Sequence, residues 1–398
     1  MSKVLVGMSG GVDSSATAHL LKEQGYDVEG LSFILWEARQ RNDFTTCCSS
    51  QGIEDASRTA SQIGIPHNSV DVRDEFIEKV IEPFVDAYTK GRTPNPCILC
   101  NRYIKFPFLL KEAEKKGAEF IATGHYARIE RASGIRDLGL GISKKLNPNG
   151  QQLTPAFSNP QPPTPNPTPF LKKGADPKKD QSYFLYVLRQ EELNRLLLPL
   201  GDYKKEDVRN LANKLGLPSA KRPESQEICF IEDKNYFKFI NKINPLAGAA
   251  GPIMGMDGKV LGEHKGIYNY TIGQRKGLGI SSPSPLYVSK IDAVKNIVYV
   301  GPQESAKIKE FDVSDLNWLV PVHPFTQSLS SASRPGRPIH QFTVKVRSMM
   351  KAEPATISGS PDSGTVKVIF DDPQWAPAPG QSAVFYDEDI VIGGGIII

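Results

Sequence analysis

Residues 1–130 alternate short apolar runs with amphipathic stretches, and no other feature constrains the fold of this chain so tightly. Segments 4–8, 28–36 and 120–123 read as strands, whereas 14–24, 52–63, 74–90 and 106–116 carry helical periodicity. Strands separated by helices line up in parallel, with the helices covering the sheet. Gly117 is placed to end the last of these helices before its strand begins. Ligands of such sheets bind beyond the carboxyl ends of the strands, so residues that follow a strand are the first candidates for function.

The chain then changes character twice. Between Leu146 and Leu171 there is no charged residue, and eight prolines fall between Pro148 and Pro169. Proline at that density removes backbone donors, which makes 146–171 a flexible or polyproline-like insertion rather than a domain. Asp180 is a good N-cap for a helix over 181–198, and a second helix spans 204–215 with Gly216 as its stop. After Pro245 the pattern becomes short strands and turns. Hairpin turns are expected at 256–259 and 293–296, a break at Gly301-Pro302, and the clearest later strands at 341–346, 365–370 and 382–385. A chain of 398 residues holds about two to three folding units. The expected division is an α/β domain over 1–240, a small central β domain over 241–306 and a C-terminal β domain over 307–398.

Composition excludes several classes. With 39% hydrophobic and 23% charged residues, and no apolar run long enough to span a bilayer, a soluble globular protein with no membrane partner is expected. A strand begins two residues after Met1 and leaves no room for a signal or transit peptide, so a cytoplasmic location is expected. The net charge of +4 is too small for a histone-like cation yet compatible with a locally basic nucleic-acid face. Five cysteines, an odd number without a secretory signal, turn attention from disulfide scaffolding to thiol or metal chemistry.

Two motifs carry that chemistry. Ser9-Gly-Gly-Val-Asp-Ser-Ser15 falls between the first strand and the first helix, where backbone amides and the positive helix end can hold a phosphate. It lacks the lysine of the G-x-x-x-x-G-K-[ST] loop and the spacing of the dinucleotide fingerprint. It resembles instead the pyrophosphatase loop of the adenine nucleotide alpha hydrolase-like enzymes, which adenylate a carbonyl or carboxylate oxygen and release pyrophosphate. The second motif is the C-x-x-C of Cys97 and Cys100, read as a polar loop in which a nearby cation and a helix N-terminus favour the thiolate. Cys229 stands apart, in the segment Ser225-Gln-Glu-Ile-Cys-Phe-Ile231.

With these motifs in place the chain resembles the tRNA-specific 2-thiouridylases. The match is collinear through 7–15, Cys47-Cys-Ser49, 91–106, Thr123-Gly-His-Tyr-Ala-Arg128, 172–184, 223–231, Tyr270-Thr-Ile-Gly-Gln-Arg-Lys-Gly-Leu-Gly279 and 376–395. The resemblance implies an ATP-pyrophosphatase domain followed by two small β domains, the last a β-barrel. It implies a tRNA uridine 2-sulfurtransferase that uses ATP and Mg2+, with the anticodon stem-loop of tRNA as substrate and a cysteine desulfurase or sulfur-relay protein as donor. Adenylation of the uridine C2 oxygen would make it a good leaving group, and sulfur would then replace it. In the family's mechanism Cys229 carries the persulfide and Cys100 forms the disulfide that releases the sulfur, tasks suited to a thiolate nucleophile. The same resemblance places ATP against Gly7, Met8, Ser9, Gly10, Gly11, Val12, Asp13, Ser14, Phe33 and Gly124. It sets the target base against Asn95, Pro96 and Cys97, and the tRNA against Lys179, Asp180, Gln181, Arg275, Lys276, Arg347 and Ser348.

One departure opens an alternative. Many members carry aspartate where this chain has Cys97, and the extra thiol makes Cys97, Cys100 and Cys229 a candidate ligand set for a 4Fe-4S cluster with one open iron. A structural zinc would need a fourth ligand, which Cys47 or Cys48 could supply. At position 348 the family more often has an aromatic than serine. Between Lys259 and Lys295 there are six Lys or Arg against two Asp or Glu, and Gly273-Gln-Arg-Lys-Gly277 forms a basic turn suited to backbone phosphates. Competing readings are another ATP-pyrophosphatase-loop synthetase, which needs no sulfur-bearing cysteine, and a tRNA-binding protein with an inert nucleotide loop.

Overall fold

A computed structural model describes residues 1–36, 50–131, 169–221, 228–231, 235–244, 248–320, 342–359 and 364–398. The chain opens with β1 (Lys3–Gly7), α1 (Val12–Glu23), β2 (Asp27–Ile34), α2 (Ser50–Ile63) and β3 (His67–Asp71). Next come α3 (Arg73–Phe76), α4 (Glu82–Thr89), α5 (Pro96–Cys100), α6 (Phe106–Lys115) and β4 (Phe120–Ala122). Two π turns, Ile77–Ile81 and Asn101–Lys105, join α3 to α4 and α5 to α6. Each stands just before a helix whose second residue is proline, Pro83 or Pro107. In a regular helix the proline ring would meet the carbonyl four residues back, and the wider turn relieves that contact.

An antiparallel hairpin of β5 (Ala127–Arg131) and β6 (Pro169–Lys173) follows, then α7 (Gln190–Arg195), β7 (Leu196–Leu197), α8 (Lys205–Lys214) and α9 (Tyr236–Ile243). The N-terminal sheet is parallel in the order β3-β2-β1-β4-β7, so strand order reverses between β1 and β4. Central strand β1 is buried on both faces, as parallel strands with helices on each side must be. Leu5 packs with Phe106 and Leu109 of α6, while Val4 and Val6 pack with Ala18, Leu21 and Ala56 from α1 and α2.

The continuous helix expected over 181–198 is not formed. Ser182–Phe184 is a short 3-10 turn, α7 follows after an irregular stretch, and Leu196–Leu197 is the edge strand β7. The physical reason is burial on every side: Tyr183, Leu185, Tyr186, Val187 and Leu188 are all in the core. Their carbonyls are satisfied from afar, Phe184 O by Asn101 Nδ2 at 2.9 Å and Leu188 O by Asn317 Nδ2 at 3.0 Å. Asp180 still caps, but it caps a turn, accepting from the amides of Gly174 at 3.0 Å and Ser182 at 3.1 Å. Residues 169–171, placed at the end of the proline-rich insertion, instead belong to strand β6. Most of 146–171 lies outside the described residues.

The central β unit contains β8 (Gly251–Gly255), β9 (Val260–His264), β10 (Tyr287–Asp292) and β11 (Ile297–Gly301) in the order β10-β11-β8-β9. Both expected hairpin turns are present, with Gly258 at φ 81° and Asn296 at φ 54°, the left-handed region that such turns need. The C-terminal unit contains β12 (Lys307–Trp318), β13 (Phe342–Lys345), β14 (Glu353–Ser358), β15 (Thr365–Trp375), β16 (Ser382–Asp387) and β17 (Ile390–Ile397). They pair in the order β12-β15-β14-β13-β16-β17, and β17 pairs back onto β12, closing a six-stranded barrel. A bridge between Ile390 and Lys172 then attaches the β5–β6 hairpin of the N-terminal region to this barrel. Among the described residues no helix is long and apolar enough to cross a membrane.

Candidate active site

The phosphate loop lies at the strand-order reversal, where open parallel sheets bind their ligands. Two contacts tie it to β2: Met8 N donates to Leu31 O at 2.8 Å and Ser32 Oγ donates to Met8 O at 2.7 Å. Gly10 takes φ 73°, which carries the chain sharply into α1. Gly11 is the N-cap and offers no side-chain acceptor to the first-turn amides. Ser14 Oγ accepts from Ser9 N at 3.2 Å and donates to Gly11 O at 3.1 Å, closing the loop on itself. Small buried residues from Ser14 to Ala18 let α1 sit close to the sheet.

Gly124 follows β4 and presses on the same loop. A Cβ there would stand 2.8 Å from Asp13 C and 2.8 Å from Ser14 N, both backbone atoms, so only glycine lets the chain after β4 approach the first turn of α1 this closely. Phe33, near the end of β2, is half-buried beside its register partner Val70. A glycine-lined cradle at a helix N-terminus, bonded through Ser32 to the strand that carries Phe33, has the groups that hold the phosphates of a nucleoside triphosphate.

Two further residues touch the loop and were not foreseen from sequence. Lys205 Nζ lies 2.6 and 2.7 Å from the carboxylate oxygens of Asp13, and Tyr126 Oη donates to Asp13 Oδ1 at 2.7 Å. One signal existed: Lys205 is the first residue of α8, where the helix dipole disfavours a cation.

The C-x-x-C is helical rather than a polar loop. Pro96 starts α5, a position where its missing N–H costs nothing, and the helix sets Cys97 at the surface and Cys100 in the interior. Cys100 belongs to an apolar cluster with Phe76, Phe84 and Phe230, against which Phe33 and Cys229 also pack. Phe230 is wedged edge-on against Phe76 and Phe84, with centroids 5.7 and 5.3 Å apart, and lies 5.1 Å from Phe239. Such pairs contribute about 0.5–1.5 kcal/mol each beyond their buried area, so Cys229 sits next to a firmly anchored residue. Cys97, Cys100 and Cys229 are not in disulfides. Among the described residues no group of three His, Cys, Asp or Glu side chains is gathered to hold a metal ion, so the three thiols as placed do not form a cluster or zinc site. Cys47 and Cys48 lie outside the described residues.

The expected RNA-contacting residues divide into two kinds. Arg275 and Lys276 are exposed on the turn between Gly273 (φ 85°) and Gly277 (φ 77°). Ser348 is half-buried in the turn that Met350 N closes on Arg347 O at 3.1 Å, and Lys179 is half-buried beside Asp176. Asp180, Gln181 and Arg347 are engaged inside the protein. Gln181 exchanges hydrogen bonds with the Tyr126 backbone, both at 2.9 Å, and Arg347 donates to Ile272 O at 3.0 Å and Ala376 O at 2.9 Å. Asn95 is the N-cap of α5, so Asn95, Pro96 and Cys97 follow one another at the helix start.

A parallel sheet with a pyrophosphatase-type loop at its reversal point, followed by two β units, defines an ATP-pyrophosphatase-fold protein with appended β domains. Family models match in the same order: a tRNA methyl transferase HUP domain over 2–233, a tRNA methyl transferase PRC-barrel domain over 238–302 and an aminomethyltransferase beta-barrel domain over 308–397. The chain is 44% identical over 399 residues to tRNA-specific 2-thiouridylase MnmA 1 of Caldanaerobacter subterraneus subsp. tengcongensis, covering 100% of this chain and 98% of that one. It is 43% identical to the Halothermothrix orenii MnmA, covering 100% and 99%, and 41% identical to that of Clostridioides difficile, covering 99% and 98%. The chain belongs to the tRNA-specific 2-thiouridylase family, a family of sulfurtransferases.

Proposed function

We propose that this protein thiolates C2 of the wobble uridine of tRNA in two steps at one site. Residues 7–14, Phe33 and Gly124 bind ATP with its Mg2+. The uridine C2 oxygen attacks the α-phosphorus, a P–O bond to the β-phosphate breaks, and pyrophosphate leaves. The terminal sulfur of a Cys229 persulfide then attacks C2 and AMP departs. The Cys100 thiolate attacks Sγ of Cys229, the bond between that Sγ and the transferred sulfur breaks, and its electron pair stays on the sulfur, now a thione. The Cys100–Cys229 disulfide is reset by a thiol reductant, and the persulfide is reloaded by a cysteine desulfurase or sulfur-relay protein.

The observation that carries this reading is the shared cluster: Cys100, Cys229 and Phe33, the residue after the Ser32 that bonds the nucleotide loop, all meet the same apolar core. Burial suits Cys100 to a single internal partner, whereas Cys229 is only half-buried and open to a donor. Asn95, Pro96 and Cys97 at the start of α5 receive the target base, which costs little to flip from a loop already partly unstacked. Arg275, Lys276, Lys179 and Ser348 lie on surfaces that can meet the RNA backbone, while Asp180, Gln181 and Arg347 shape those surfaces from within.

The test uses anaerobically purified full-length protein with unmodified tRNA, ATP, Mg2+ and a persulfide donor. Thiouridine is expected without iron, and Cys229→Ser should lose it while still releasing pyrophosphate. Activity that tracks bound iron and disappears in Cys97→Ala supports the 4Fe-4S alternative. Pyrophosphate release without any thiouridine in the unaltered protein, and equally fast in Cys229→Ser, points to another ATP-pyrophosphatase reaction, and binding of tRNA without pyrophosphate release points to an inert loop.

A further inference from the structure

Lys205 is poorly placed by ordinary rules. Its side chain is only 11% exposed, it is the first residue of α8 at that helix's positive end, and its backbone N–H is already capped by Asp176 Oδ2 at 3.1 Å. Its ammonium lies against both carboxylate oxygens of Asp13 and 5.6 Å from the centre of the Tyr126 ring. Asp13 is the more open partner, 34% exposed, and it does not need Lys205 for company: the first turn of α1 favours a carboxylate and Tyr126 already donates to it. The pair therefore presents a cation held rigidly at the phosphate loop, with its negative partner on the loop itself.

We propose that Lys205 is a phosphate ligand of this site, exchanging Asp13 for the β- and γ-phosphates when ATP binds. The proposal rests on the ATP reading above and assigns a role to a residue that reading does not use. A bound triphosphate carries more charge than one carboxylate, so it outcompetes Asp13 for the ammonium and leaves that carboxylate available for the Mg2+ that accompanies the nucleotide. As the P–O bond breaks, negative charge builds on the departing pyrophosphate, and a fixed cation favours that state over bound ATP. Asp176 is what fixes it: the same carboxylate that caps α8 also accepts from Lys178 N at 3.0 Å, clamping the helix start to the 176–179 turn.

The alternative is that Lys205 acts only by holding Asp13 in place. Titration of inorganic pyrophosphate with Mg2+ into full-length protein, without tRNA, separates the two through a cycle of Lys205→Met, Asp13→Asn and the double variant, with Lys205→Arg as the charge-retaining control. Expected are a roughly tenfold or greater weakening in Lys205→Met, recovery in Lys205→Arg, and the same factor when Lys205→Met is added to Asp13→Asn. Pyrophosphate release with tRNA should fall about 10²-fold in Lys205→Met. If Lys205→Met has no effect in the Asp13→Asn background, Lys205 acts only through Asp13 and the proposal is wrong. If the unaltered protein binds neither pyrophosphate nor ATP, the ATP reading falls with it, whereas binding indifferent to Lys205 overturns this proposal alone.

Discussion

At the scale of single residues, His125 shows how the loop's surroundings are tuned. It follows Gly124, its Nδ1 is 2.8 Å from Thr123 Oγ1, and its ring lies 5.8 Å from that of Phe106. Burial, helped by Lys105, pushes its pKa from 6.5 down to about 3. Between those values the unfolded chain binds a proton that the folded one refuses, so its contribution is complete above pH 6.5 and is lost as pH falls toward 3. His19 and His67 are also pushed down by burial and act in the same direction. The informative quantity is therefore a difference: below pH 6.5 the urea midpoint should fall less steeply for His125→Asn than for the unaltered protein. Equal slopes would mean the ring takes its proton inside the fold. At this scale sequence reading reached the loop, whose residues are neighbours, and missed Lys205, which stands 192 positions from Asp13.

At the scale of elements, legibility followed the range of the interactions. The strand–loop–helix around Gly7 to Ser15, the hairpin turns and α8 are local structures, each fixed by residues a few positions apart. The segment 181–198 has a helix-like composition, yet carbonyls that a helix would have paired internally are met by Asn101 and Asn317. Strands β5 and β6 were missed because part of what orders them is Ile390, far along the chain. Asn317→Leu removes the donor to Tyr186 O and Leu188 O and takes that partner from the carbonyls of two buried residues. It should cost about 2–4 kcal/mol, read as a lowered denaturant midpoint, whereas Asn317→Gln should retain part of it. A loss under about 0.5 kcal/mol would show that water replaces those bonds.

At the scale of the molecule, the three units are held by polar contacts as well as by packing. Arg102, two residues after Cys100, forms a bidentate ion pair with Asp315 of β12, and Thr93 N donates to Pro379 O at 2.7 Å. Arg347 joins the C-terminal barrel to the central unit through Ile272 O, and burial depresses its pKa. Arg347→Met should therefore uncouple the units: about 2–3 kcal/mol of stability lost, a broader thermal transition, and weaker tRNA binding with an unchanged salt slope, since no phosphate contact is removed. A reduced salt slope would instead assign Arg347 directly to the RNA.

The register of the β5–β6 hairpin sets Arg131 opposite Pro169, so the two chain ends on either side of positions 132–168 are direct neighbours. Extra chain inserted there closes a loop rather than prying two elements apart, and the entropic charge for such a loop grows only with the logarithm of its length. For an evolving lineage this is a port through which segments can be lengthened, shortened or exchanged without disturbing the chemistry. For an engineer it is the place to graft a fluorescent reporter or an affinity handle.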